Sequence, residues 1–186
     1  MPEKLKTDLS KFDSSWYKPG NKIKWVLWHI TSSIFFINPL FTLTTPKVFL
    51  LRLFGAKIGK GTVIKTRVII KFPWFLEIGD YVWLGENIWI ENQAKVKIGD
   101  NSCLSQGAML LTGNHNFKKT TFDLMIGEIV LEDGVWIGAH AVVCQGVTCK
   151  SHSVLSVNSV ATHLMESYSV YQGNPAVKVR DREITE

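Results

Sequence analysis

Ile58, Ile64 and Ile70, then Ile78, Leu84 and Ile90, then Ile98, Leu104 and Leu110 stand six residues apart within each trio, with a step of eight between trios. The beat breaks after Leu111 and resumes as Leu131, Ile137, Val143, Cys149, Leu155 and Ala161. A helix repeats every 3.6 residues or so and a strand every two, so a sustained period of six belongs to neither. Four places after the aliphatic residue comes a small or β-branched one: Thr62, Val68, Val82, Ile88, Ala94, Ser102, Ala108, Val135, Ala141, Val147, Ser153 and Ser159. The pattern predicts a mainly β chain folded as a parallel β-helix. Each hexapeptide supplies one strand and one corner, and three close a triangular coil of about 18 residues. The aliphatic side chain points inward, the small one fills the corner, and Gly59, Gly79, Gly85, Gly99 and Gly138 allow tight turns. The extra pairs Leu76–Glu77 and Val96–Lys97 are expected at corners. No coil buries its own face, so stability has to come from stacking.

About five coils fill residues 56–172, interrupted by a protruding loop at 112–128. Residues 1–55 form a preceding segment: an extended stretch to Asn21, a helix from Lys22 to Asn38 ended by Pro39, and a second helix from Pro46 to Phe54 stopped by Gly55. Both are too short to span a bilayer, and their expected task is to cap the open end of the prism. Gly173-Asn174-Pro175-Ala176 closes the repeat, and a charged tail occupies 173–186. Three cysteines without a CxxC pair argue against a disulfide framework and for a reduced, cytoplasmic protein. The charged start from Met1 to Lys11 lacks an apolar secretion core.

Charge is uneven along the chain. Residues 1–71 hold 13 Lys or Arg against 3 Asp or Glu, and the remainder holds 8 against 13. Two readings of this basic, aromatic front half stand open: peripheral contact with an anionic membrane at its inner face, or a solvated basic surface with the aromatics packed on the β-helix. No nucleic-acid partner is expected.

His115 opens the long loop, outside the regular repeats, and a loop leaving a rigid scaffold is where function concentrates. The order of features is repeats, then Thr112-Gly113-Asn114-His115, then Asp133-Gly134-Val135-Trp136-Ile137-Gly138, then Gly173-Asn174-Pro175-Ala176. This order resembles the left-handed β-helix sugar O-acetyltransferases of the maltose, galactoside and nodulation-factor type. Leu50-Leu51-Arg52-Leu53-Phe54-Gly55-Ala56-Lys57-Ile58-Gly59 and Trp83-Leu84-Gly85-Glu86-Asn87 extend the likeness to exopolysaccharide acetyltransferases of the colanic acid type.

The resemblance implies the left hand of the helix, a homotrimer with each site shared by two subunits, acetyl-CoA as acyl donor and no metal. It implies His115 as the base that deprotonates a sugar hydroxyl, chemistry a neutral imidazole suits. A backbone amide at Gly138 or Ala139 would serve the oxyanion. The donor's pantetheine arm would pass Trp136, Gly138, Ala139, Val157, Thr162 and His163, with Lys178 and Arg180 meeting its phosphates. Glu86, Asn87 and Asn114 would meet the acceptor, a small-molecule, lipid-linked or nucleotide-linked sugar, and Phe117, Lys118 and Lys119 an anionic group on it. This sequence departs from the family at Leu164-Met165-Glu166-Ser167, where a double proline is usual, at His163 in place of lysine, and at Ser156 and Val157 in place of Gly and Ala. Other readings are N-acetylation of an amino sugar or antibiotic, a non-catalytic scaffold, and a zinc hydratase. The last needs three converging histidines, and His115, His140, His152 and His163 lack the paired spacing.

Overall fold

The computed structural model describes residues 4–186, so Met1, Pro2 and Glu3 of the charged start lie outside it. Short strands stack into three parallel faces of a triangular prism. The first face carries Ile58, Ile78, Ile98, Leu131 and Cys149 inward, the second Ile64, Leu84, Leu104, Ile137 and Leu155, and the third Ile70, Ile90, Leu110, Val143 and Ala161. All are buried. Each such Leu or Ile contributes about 1.5–3 kcal/mol of burial. There are five complete coils, and a sixth begins with Met165 bridging Cys149 and the strand Ser169–Gly173.

Stacking has a direction. Gly59 N donates to Ile78 O and Gly79 N to Ile98 O, both at 2.8 Å, so the carbonyl of each inward aliphatic residue faces the preceding coil, and in the first coil those of Ile58, Ile64 and Ile70 point out of the open end. The front segment satisfies them, one face at a time. Helix α1 (Lys22–Ser32) sends Trp28 Nε1 to Ile70 O at 2.7 Å. Helix α2 (Thr44–Leu53) sends the buried Lys47 Nζ to Ile64 O and Lys65 O at 3.3 and 2.7 Å, and Arg52 Nη2 to Ile58 O at 2.7 Å. Burial lowers the Lys47 ammonium's pKa, and these carbonyls compensate it. Trp28 also packs on Phe36 and Phe54, which closes the core.

Several details differ from the sequence expectations. The first helix becomes a π-helix over Ser33–Ile37, next to Thr31 and Ser33 hydroxyls that bond the carbonyls of Leu27 and His29 and compete with the helical ladder. The second helix starts at Thr44, with Pro46 still inside its first turn. Leu76 and Val96 are not corner residues: they are buried first positions of lengthened strands. Ala94 is only half-buried, because Asn92 takes the interior of that corner and bonds Phe72 through both backbone N and O. Gly59 does not make the turn by a left-handed conformation. A Cβ there would lie 2.4 Å from Gly79 backbone, so close approach of the next coil excludes a side chain. The left-handed residues fall two places later, at Gly61, Tyr81, Asn87, Asn101 and His140 among others. Residues 176–181 are not an irregular tail, since Ala176–Asp181 turns back antiparallel on Ser169–Gly173.

Outward residues divide the prism. On the first face Lys57 and Lys95 both pair with Glu77, at 2.8 and 2.7 Å, and hold its carboxyl down to about 2. The second face presents Val63, Trp83, Cys103 and Trp136, and the third Ile69, Trp89, Met109, Val142 and Val160. One face is polar; two are apolar.

Candidate active site

The 112–128 insertion leaves the corner between the third and first faces as a hairpin, with Gly113–His115 antiparallel to Leu124–Ile126. Thr112, fully buried, anchors its root: its hydroxyl donates to Glu91 O at 2.8 Å and accepts from Ala94 N at 3.0 Å. Gly113 lies against Gln93, whose Nε2 a Cβ would meet at 2.5 Å. The next two side chains leave the prism.

His115 is half-buried and held on three sides. Its Nδ1 lies 3.0 Å from Phe122 O, and a carbonyl only accepts, so Nδ1 carries the proton and Nε2 keeps the lone pair. Phe122 stacks on the imidazole at 4.4 Å and 8°, and Phe12 covers it at 5.5 Å. Phe12 arrives on the N-terminal arm, which is tied to the hairpin by Asp8 N donating to Thr120 O at 2.8 Å. The Asn114 carboxamide caps His115 N at 2.7 Å and is itself exposed. The result is an imidazole fixed in tautomer and orientation, the arrangement a proton acceptor needs.

A groove of about 980 Å³ runs along the second face and its corner with the third. Trp136, Gly138, Ala139, Val157 and Arg180 line it. Trp136 Nε1 donates to Ser105 Oγ at 3.0 Å, which fixes the indole on the wall. At Gly138 a Cβ would lie 2.7 Å from Val157 N, so the coil above excludes any side chain. Gly138 N already donates to Leu155 O at 2.8 Å; of the two amides proposed for an oxyanion, this leaves Ala139. The rim is the added strand with Arg180, followed by Arg182, whose guanidinium bonds Gly134 O and His152 O at 2.9 and 3.1 Å. The volume suits a cofactor-sized ligand, and the two guanidiniums suit phosphates.

One chain does not unite all the candidates. Glu86 and Asn87 lie in the same corner column as Ala139, two coils lower, through Gly107 N to Glu86 O and His140 N to Gln106 O. At about 4.8 Å per coil that is about 10 Å from Ala139. Thr162 and His163, bonded to each other at 2.8 Å, stand with His115 at the other corner of the third face, two coils above it. Lys178 pairs with Asp181 at 2.6 Å and is outside the groove lining. Lys119 pairs with Asp123 at 2.7 Å, while Lys118 and Phe117 are exposed. Among the described residues no cluster of three or more His, Cys, Asp or Glu is placed to hold a metal, and His140, His152 and His163 occupy three different corners. The sequence reading missed Phe12, Phe122, Ser105 and Arg182. Phe122 had a signal, as the aromatic facing His115 across the hairpin; Phe12, some hundred residues away, had none.

The stacked coils have solved counterparts. A hexapeptide-repeat-containing acetyltransferase of Vibrio cholerae O1 biovar eltor, complexed with acetyl coenzyme A, superposes with a TM-score of 0.70 at 25% identity, covering 75% of this chain and 78% of that one. No protein-family model matches the chain. Among curated relatives, the protein assigned as colanic acid biosynthesis acetyltransferase WcaF in Escherichia coli (strain K12) is 36% identical over 180 residues, 96% of this chain and 99% of the relative. The chain belongs to the hexapeptide-repeat acetyltransferases, and is an acetyl-CoA-dependent acyltransferase. The galactoside O-acetyltransferase of Escherichia coli (strain K12) is 26% identical over 129 residues, 68% of this chain and 64% of that protein.

Proposed function

We propose that the protein moves an acetyl group from acetyl-CoA to a hydroxyl of a sugar or sugar-linked intermediate in surface polysaccharide synthesis, with His115 as general base. The observation that carries the reading is the pinned imidazole: Nδ1–H on Phe122 O leaves Nε2 free to accept a proton. The sugar oxygen attacks the thioester carbonyl carbon as its proton passes to Nε2. The tetrahedral oxyanion is met by Ala139 N–H, the C–S bond breaks, and the proton returns to the departing thiolate. The products are an acetyl ester and free CoA thiol. Trp136, Gly138, Ala139 and Val157 bound the pantetheine path, Arg180 meets phosphate, and Asn114, Glu86 and Asn87 orient the acceptor.

The separation of His115 from the groove within one chain supports a site shared between protomers. The strand Met109–Leu111 lies between their corners, and crossing from one to the other spans roughly five residues, about 17 Å. A heterologous contact of the apolar second face with the apolar third face of a neighbour closes as a threefold ring. It brings one protomer's hairpin to the next one's groove. Thr162 and His163, at the hairpin's corner, then face the same cleft from the partner's side, while Lys178, on the strand that carries Arg180, stays on the groove's side.

The test is release of CoA thiol from acetyl-CoA across a panel of sugars, amino sugars and sugar nucleotides, with products identified by mass and ester lability to hydroxylamine. An ester on a sugar is expected. Amide products alone, or no transfer to any acceptor despite CoA binding, would contradict the reading.

A further inference from the structure

We infer that the capped end of the β-helix docks on an anionic lipid bilayer. The first helix and its π-helical extension are apolar on two opposite sides. One side packs Trp28, Ser32 and Phe36 inward. The other presents Ile23, Val26, Leu27, Ile30, Ile34 and Ile37, spaced by three and four and between 40% and 71% exposed. A contiguous apolar helix face is ordinarily covered, so this outer stripe lacks the cover its composition calls for. Helix α2, at the same end of the prism, exposes Phe49 and Leu53 as well, at 64% and 67%. The stripe lies at the end of the prism, away from the two apolar faces used for trimer contact, because α1 and α2 bond the terminal carbonyls of all three faces.

Charge selects the occupant. Between Asp13 and Glu77 there is no acidic residue and there are ten basic ones. Lys57, Lys60, Lys65 and Arg67 stand exposed around the first coil, and Lys22 opens α1, so an apolar tip is set in a basic collar. That pairing fits acyl chains below and lipid phosphates beside them. A second copy stacked end to end would bring two basic collars together. No helix among the described residues is long and apolar enough to cross a membrane, so the stripe lies on the surface. This inference rests on the threefold reading in one respect: parallel prisms put three tips on one side, and three weak contacts reinforce each other. A bilayer-docked enzyme is also suited to a lipid-linked sugar acceptor, since the hairpin is only two coils, about 10 Å, above the first.

The experiment is flotation of the full-length protein with vesicles of phosphatidylglycerol and phosphatidylcholine, against phosphatidylcholine alone, at low and high salt. The wild type is expected to float with anionic vesicles at least about tenfold better than with neutral ones, and less at high salt. The double variant Leu27→Asp, Ile30→Asp, on the outward stripe, should lose about tenfold or more in this binding. It should keep its oligomeric mass and its thiol release with soluble acceptors. Absence of wild-type flotation overturns the inference, and so does a six-chain particle that the same double variant splits. Thiol release from acetyl-CoA reads the catalytic assignment separately, so its failure with flotation intact would count against that assignment alone.

Discussion

Replacing His115 by alanine is expected to lower the rate of acetyl transfer by about 10²- to 10⁴-fold while leaving CoA binding in place. The size follows from what the side chain supplies. A hydroxyl attacking a thioester has to lose its proton as the bond forms, and in the proposed mechanism His115 Nε2 accepts it while Nδ1 is held by Phe122 O. Folding should survive, because the hairpin stands outside the stacked coils and none of the inward ladders touches it. Transfer rates at saturating acetyl-CoA, CoA-induced thermal shifts and circular dichroism of the variant distinguish the cases. An unchanged rate removes His115 from the chemistry; a lost thermal shift makes it a binding residue instead.

Leu104→Ala should cost about 2–5 kcal/mol, seen as a fall in Tm of roughly 4–20 °C. Leu104 is fully buried at the middle of the second face, between Leu84 and Ile137 of the neighbouring coils. Coils hydrogen-bonded on both sides cannot collapse into the space, so the cavity term is felt in full. At Ala161, already small and near the last coil, only one methyl group can be removed. Thermal denaturation of the two variants, with Ala161→Gly as the comparison, measures the difference. A shift of only a degree or so at Leu104 would mean that stacked coils relax freely, contrary to the rigid column described.

The period of six was enough to place one inward residue on each side of the first five coils, though not Leu76 or Val96, because an inward position repeated once per side leaves a mark that survives any choice among Ile, Leu and Val. Corners were less legible. Gly59 is required by the next coil's backbone, a contact 20 residues away, and the left-handed corner positions are filled by Gly, Asn, His, Tyr or Arg without a common residue type. Asn92 and Lys47 belong to residue types that ordinarily face solvent, yet both are buried against backbone groups that the sequence does not display. At the candidate site His115 was readable from the interruption it opens. Its two aromatic walls were not, since Phe12 reaches it only after the N-terminal arm has folded along the prism. The sharing of candidates between two corners is likewise a property of coil geometry.

The claim on which the rest depends is that one protomer's imidazole serves the next protomer's groove. Chains carrying His115→Ala and chains carrying Ala139→Trp, which fills the groove at its corner, should each be inactive when purified alone. When the two are co-expressed with different tags and isolated as mixed particles, thiol release from acetyl-CoA should return, because some junctions then hold an intact histidine against an intact groove. Mixed particles as inactive as either parent would contradict a shared site.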